Sequence, residues 1–140
     1  MLARGRPIIP GDAHGCVLLA KRPLSFWGGI HPETGLIIDH RHDRYGESVV
    51  GRIFAFPAEK GSSTGSAVLL ELARIGKGPA AILTREMAPI LALGSIIAEE
   101  LYNVAVPIFL VTDRQFEALS DGESVHISKD GTVRSVDDAL

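Results

Sequence analysis

Val49-Val50-Gly51-Arg52-Ile53-Phe54-Ala55-Phe56, closed by Pro57, is an apolar run of strand length, and its reading decides the fold class. A strand apolar at successive positions is one buried on both faces, as in a parallel sheet. Downstream, Val68, Leu69, Leu72, Ala73 and Ile75 recur at three- and four-residue spacing, which predicts a helix from about Gly65 to Ile75, stopped by Gly76-Lys77-Gly78-Pro79. Ala80-Ala81-Ile82-Leu83 reads as a second strand, Ile90 to Leu101 as a second helix, and Val106-Pro107-Ile108-Phe109-Leu110-Val111 as a third strand. Strand, helix, strand, helix, strand places the chain in the α/β class, with a central parallel βαβαβ unit and right-handed crossovers.

Outward from this unit both ends read as β-rich. Residues 1–50 hold short apolar runs, Cys16-Val17-Leu18-Leu19-Ala20 and Leu36-Ile37-Ile38, between Gly and Pro turn signals, so short strands joined by loops are expected. Cys16 within such a run is expected to be a buried, inert thiol. Trp27, beside Gly28 and Gly29, either anchors a loop to the core or stays half exposed where backbone approaches another surface. Beyond Thr112 a short helix around Arg114 to Leu119 is followed by Ser124–Ser128 and Thr132–Val136. The intervening Lys129-Asp130-Gly131 carries the Asp-Gly signal of a hairpin. Asp137-Asp138-Ala139-Leu140 is expected to fray. The whole, residues 1–140, reads as one domain.

Composition narrows the function. The 14 Lys and Arg against 17 Asp and Glu leave a formal charge of −3, so there is no basic field to hold a nucleic-acid backbone. The single cysteine rules out an intramolecular disulfide and a multi-thiolate metal site built from this chain alone. Mean hydropathy is +0.20, but no apolar run approaches the roughly 18 residues of a membrane span. The first residues lack a secretory-signal pattern, and a reducing cytoplasmic location is expected.

Lys60-Gly61-Ser62-Ser63-Thr64-Gly65-Ser66 lies between a strand and an amphipathic helix, where unpaired backbone N–H groups and the helix dipole favour an anion. The plain alternative is that Ser62 or Ser63 caps the helix. A Walker loop would need Gly-Lys-Ser/Thr at this point, and Gly65 is followed by Ser66 instead. Gly61-Ser62-Ser63-Thr64-Gly65 also matches G-x-S-x-G, with Ser63 as nucleophile and Asp113 and His126 in triad order. Four residues separate that loop from its strand, however, where a nucleophile elbow needs none.

Five strings in order, Leu24-Ser25-Phe26-Trp27-Gly28-Gly29, Pro32-Glu33-Thr34-Gly35, Gly46-Glu47-Ser48-Val49-Val50-Gly51-Arg52, Lys60–Ser66 and Pro89-Ile90-Leu91-Ala92-Leu93-Gly94, resemble the small subunit of aconitase X-type dehydratases. That family includes cis-3-hydroxy-L-proline dehydratase and archaeal phosphomevalonate dehydratase, and the resemblance runs from about Gly5 to Thr112. It implies a swivelling β/β/α domain that docks on a large subunit carrying an iron–sulfur cluster, with no cofactor bound by this chain. It also implies that Ser62 is the catalytic base and that Gly61, Ser63, Thr64 and Gly65 bind substrate. Aconitase has an arginine where this chain has Thr64, so a carboxylate contact made there has to come from another residue or from the large subunit.

A serine hydroxyl acts as a base only when its alkoxide is stabilised, so Ser62 needs the helix start and at least one cation, for which Lys60 is the local candidate. Within the implied complex this chain supplies the base for dehydrating a small hydroxy acid, with cis-3-hydroxy-L-proline favoured, phosphomevalonate second, and a non-catalytic scaffold module as the rival class. Asp39-His40-Arg41-His42-Asp43 crowds two imidazoles that would point the same way if extended, but two make an incomplete metal site. A charged turn facing the large subunit or the substrate entrance is the expected reading. His14, His31 and His126 are isolated in sequence.

Overall fold

The computed structural model describes residues 1–136, so the expected fraying of 137–140 lies outside the described residues. The strands are β1 (Ala3–Arg4), β2 (Arg6–Ile9), β3 (Ala13–Leu19), β4 (Ile53–Phe56), β5 (Ala81–Thr84), β6 (Ile108–Leu110), β7 (Ser124–Ile127) and β8 (Thr132–Ser135). The helical elements are α1 (Phe26–Gly29), α2 (Gly65–Arg74), α3 (Pro89–Tyr102) and α4 (Asp113–Glu117). β3, β4, β5 and β6 pair in parallel, linked by α2 and α3, so the expected βαβαβ unit is present.

The sheet order is β1-β8-β7-β3-β4-β5-β6-β2. Its two edge strands are consecutive in the chain and are separated by Gly5 alone, so the sheet folds back on itself into two layers. β3 shares the bend: Ala13–Cys16 pair antiparallel with β7, and Val17–Leu19 pair parallel with β4. At the junction Gly5 donates to the Gly131 carbonyl at 2.8 Å, and a Cβ on Gly131 would lie 1.8 Å from the Gly5 oxygen. Only glycine permits that approach.

Strand alternation feeds two cores. Phe54 and Phe56 of β4 join Phe26, Val68, Leu69, Leu72 and Leu91 beneath α1, α2 and α3. Ile53 and Ala55 face the opposite way, toward Val125, Ile127 and Val133 of the antiparallel layer and Phe116 of α4. This is the β/β/α layering. The Phe54 and Phe56 rings stack at 4.4 Å, and truncating either to Ala would cost about 3–5 kcal/mol.

α2 ends as its sequence predicts. Gly76 takes φ +73°, Lys77 N–H reaches the Leu72 carbonyl at 2.9 Å, and Gly76 N–H reaches that of Ala73, a Schellman closure.

Three expectations are corrected. The first central strand starts at Ile53, because Gly51 at φ +67° turns the chain and directs its amide to Gly78. Leu36-Ile37-Ile38 forms isolated bridges to Ile30 and Ser48 and no strand. Cys16 is exposed, not buried, and its thiol lies 3.4 Å from the Ser124 hydroxyl. At this residue β3 bends between layers, and the inward positions are taken by Val17 and Leu18.

Candidate functional site

After Phe56 the chain runs extended along residues 22–24. Leu24 N–H donates to Ala58 at 3.1 Å and Lys60 N–H to Leu24 at 3.3 Å. Glu59, in this segment, accepts the Ile90 N–H with both carboxylate oxygens, at 3.0 and 3.2 Å, and so caps α3 at its second residue. Burial pushes the Glu59 carboxyl above the ordinary glutamate range, and hydrogen bonds from the Ile90 and Leu91 amides only partly offset this.

Gly61, at φ +77°, reverses the chain into Ser62. The Ser62 hydroxyl oxygen accepts the Thr64 N–H at 3.1 Å, and Gly65 N–H and Ser66 N–H donate to the carbonyls of Ser62 and Ser63. This contact closes a turn ahead of α2, but neither Ser62 nor Ser63 caps the helix: Thr64 holds the N-cap position, and no side chain caps it. The same contact is what a base needs, because an N–H aimed at Oγ stabilises negative charge there. Among the described residues the Gly61, Ser62 and Ser63 amides, in the loop ahead of the helix, donate to no acceptor, whereas the amides of the helix start are already paired, Ala67 and Val68 with the Thr64 carbonyl. Ser62 is half-buried, whereas Gly61, Ser63 and Thr64 are exposed.

Three of the five strings that carry the resemblance, 24–29, 60–66 and 89–94, meet at this loop. A Cβ on Gly65 would meet Ile90 Cγ2 at 3.5 Å, Phe26 Cβ at 3.7 Å and Trp27 N at 3.8 Å. A Cβ on Gly94 would lie 2.7 Å from the Ser66 carbonyl oxygen, so glycine lets α3 press against the first turn of α2. Phe26–Gly29 is a tight turn with Trp27 at φ −70°, ψ 117° and Gly28 at φ 77°, ψ −11°, the dihedrals of a type II turn. It buries Phe26 and leaves Trp27 58% exposed beside the loop, which settles the two readings of that tryptophan in favour of exposure.

Residues 39–43 form turns rather than an extended run, so His40 and His42 do not share a direction. His40 stacks on Tyr45, with ring centroids 4.5 Å apart. His42 is buried; its Nδ1 accepts the Arg44 N–H at 3.0 Å, which assigns the proton to Nε2, donated to the Arg22 carbonyl at 3.1 Å. Asp43 accepts the Lys21 and Arg22 amides, and Arg22 Nη1 donates to the Arg41 carbonyl at 2.8 Å. The charged string is thus a clamp fastening residues 39–44 to residues 21–22. Arg44 extends it to Asp121 at 3.2 Å. Asp121 also accepts the Leu19 N–H; that hydrogen bond, then Arg44, holds its carboxyl below the ordinary aspartate range.

Between the clamp and the loop lies a cleft of about 340 Å³ lined by Arg22, Pro23, Asp39, Arg41, His42 and Lys60. Lys60 faces this cleft and makes no hydrogen bond to Ser62. Arg41 belongs to the charged segment expected to face the large subunit or the substrate entrance, whereas Arg22 and Glu59 carry no such expectation in the sequence.

The triad alternative is not assembled. Asp113 pairs with Arg85 at 3.6 Å and His126 with Asp12 at 3.8 Å, and His126 pairs with the start of β3, at the end of the sheet away from the loop. Nor do the described residues fit an iron–sulfur cluster or another bound metal. No group of three His, Cys, Asp or Glu is placed to hold one, and Cys16 stands alone in the antiparallel layer.

Residues 2–135 match the family described as the aconitase X swivel domain. The cis-3-hydroxy-L-proline dehydratase of Pseudomonas aeruginosa is 48% identical over 109 residues, covering 78% of this chain and 19% of that one. The phosphomevalonate dehydratase small subunit of Thermococcus gammatolerans is 41% identical over 138 residues, 98% of this chain and 99% of that one. The chain thus spans about a fifth of the curated hydroxyproline dehydratases it matches and nearly all of that small subunit. The crystal structure of Thermococcus kodakaraensis aconitase X in its holo form superposes with a TM-score of 0.85 at 36% identity, covering 96% of this chain and 97% of that one. The chain belongs to the aconitase X swivel-domain family.

Proposed function

We propose that this aconitase X swivel domain is the small subunit of a heteromeric hydro-lyase that dehydrates cis-3-hydroxy-L-proline to 1-pyrroline-2-carboxylate, with Ser62 as the base. The observation that carries the reading is the Ser62 hydroxyl held by the Thr64 amide just ahead of α2, half-buried, in a loop whose Gly61, Ser62 and Ser63 amides donate to no acceptor among the described residues. Dehydration requires a group to take the proton on carbon and a Lewis acid to accept the departing hydroxyl. This chain supplies the first. The Ser62 alkoxide takes the proton from the carbon beside the carboxylate, the electron pair forms the new C–C π bond, and the C–O bond at the neighbouring carbon breaks with the hydroxyl departing as hydroxide. The resulting enamine then tautomerises, its N–H proton moving to carbon, to give the C=N bond of 1-pyrroline-2-carboxylate. The Gly61, Ser62 and Ser63 amides hold the substrate against the loop, with Ser63 and Thr64 exposed toward it.

The Lewis acid, an iron–sulfur cluster, is assigned to the large subunit. The similarity to hydroxyproline dehydratase supports the substrate. The near-complete match to a separate phosphomevalonate dehydratase small subunit supports a second reading, in which the hydroxy acid is phosphorylated. Co-expression with the large subunit and assay of both substrates tests the proposal. Turnover of cis-3-hydroxy-L-proline is expected; turnover of phosphomevalonate alone selects the second reading, and a stable complex inert toward both would refute the catalytic assignment.

A further inference from the structure

The cleft beside the loop holds three cations with no ionic partner. Arg22 is committed only to the Arg41 carbonyl, and neither Arg41 nor Lys60 forms an ion pair among the described residues. The one acid on its wall, Asp39, has Oδ1 occupied by the Arg41 N–H at 3.0 Å. Asp43 turns its oxygens to the Lys21 and Arg22 amides, and His42 is fixed in its neutral tautomer by two backbone contacts. Three positive charges therefore face one negative charge across about 340 Å³, room for a small acid. The other arginine-lined cleft, about 360 Å³, differs: its Arg4 and Arg85 are already paired with Asp130 and Asp113, which leaves Arg6 as its one arginine without an ion pair among the described residues.

Position connects the cleft to the chemistry. Lys60 is two residues from Ser62, so their Cα atoms lie within about 7 Å. The opposite wall is rigid, because residues 39–43 are clamped to 21–22 by the hydrogen bonds of His42, Asp43 and Arg22. Guanidinium groups suit a carboxylate or phosphate, which accept paired N–H donors; that of Arg22 is held by the Arg41 carbonyl and that of Arg41 is free to turn to a ligand.

From this we infer that the Arg22–Arg41–Lys60 cleft is the oxyanion subsite that holds the acidic group of the substrate while Ser62 acts on its carbon. These residues then determine which hydroxy acid is accepted. Their role at the substrate rests on the proposed dehydratase function, whereas anion binding by the cleft does not.

Titrating the full 140-residue chain with inorganic phosphate and, separately, with cis-3-hydroxy-L-proline, followed by amide chemical shifts, tests the binding. Shifts confined to residues 21–24, 39–42 and 60 are expected, with affinity about tenfold weaker in Arg41→Gln and Lys60→Gln and partly restored in Arg41→Lys. A response to phosphate alone or to the imino acid alone identifies the group. In the complex with the large subunit, Arg41→Gln is expected to raise KM about tenfold while leaving kcat within about twofold. The inference is overturned by no response at the cleft to either probe, or by an Arg41→Gln complex of unchanged KM. Loss of complex assembly with unaltered anion binding would also overturn the role at the substrate, since the cleft would then be a docking face. Anion binding at the cleft in a complex that turns over neither substrate refutes the dehydratase reading and leaves the subsite standing.

Discussion

Ser62→Ala and Ser62→Asn together separate the two roles that one hydrogen bond supports. In the folded chain Ser62 Oγ accepts the Thr64 N–H at 3.1 Å, the i to i+2 contact that Ser, Asn and Asp side chains all make at turns and helix starts. Alanine removes the acceptor, and losing one such turn hydrogen bond costs about 1 kcal/mol. For a chain of 140 residues that lowers Tm by about 3–5 °C. If closing this turn were the only role, a penalty of about 1 kcal/mol would reduce the population of the native loop by about fivefold at most, and activity with it. A base lost from the reaction removes about 10²- to 10⁴-fold of rate. The gap between those figures decides the matter. Asparagine restores the turn contact without a hydroxyl, so Ser62→Asn is expected to melt within about 2 °C of the wild type while the complex stays as inactive as with Ser62→Ala. Thermal melts of the chain, kcat of the complex and a check that both variants bind the large subunit suffice. Restored activity in Ser62→Asn, or an alanine variant retaining a tenth of the wild-type rate, would refute the base assignment.

Gly131→Ala is expected to destabilise by about 3 kcal/mol or more in urea unfolding, because it combines φ +91° with a Cβ 1.8 Å from the Gly5 oxygen. Gly122→Ala, at φ +81° in open space, is the control and should cost about 1 kcal/mol. Glu59 has a carboxyl raised above 4.5 in the native state, which holds its proton more tightly than the unfolded chain does. Its stabilising contribution is therefore complete below about pH 4.5 and lost as pH rises through the raised native value. Relative to Glu59→Gln, the wild type should lose stability over that window, and a difference flat in pH would contradict the burial of the carboxyl. Exposed Cys16 should react with a thiol reagent in the native state, and Cys16→Ser should change stability by less than about 0.5 kcal/mol. A thiol that reacts only in urea would overturn that exposure.

Much of the fold was legible in local chemistry. The period of apolar residues set α2, α3 and the hairpin to within a residue or two, because a helix or hairpin is specified by neighbours in the chain. The start of β4 was read too early, since Val49 and Val50 are as apolar as the strand itself and only the Gly51 turn separates them from it. The Gly-Ser-Ser loop was legible as the connection into α2, and the resemblance implied Ser62 as the base. Arg22 and Glu59 were not legible, because their neighbours, Arg41 and Ile90, are brought to them from elsewhere in the chain.

What the sequence alone determined was therefore the α/β class, the parallel core and the Ser62 loop, all governed by spacing within short segments. The tertiary structure decided how the sheet folds into two layers at Gly5 and β3, that Cys16 faces solvent, and that the charged string at residues 39–43 is a clamp. It also decided that three cations share one cleft near Ser62. Those outcomes depend on contacts between segments 19 to more than 100 residues apart, such as Arg22 with Arg41 and Gly5 with Gly131. Their distances are set by closure of the whole fold, a constraint that no local run of residues contains.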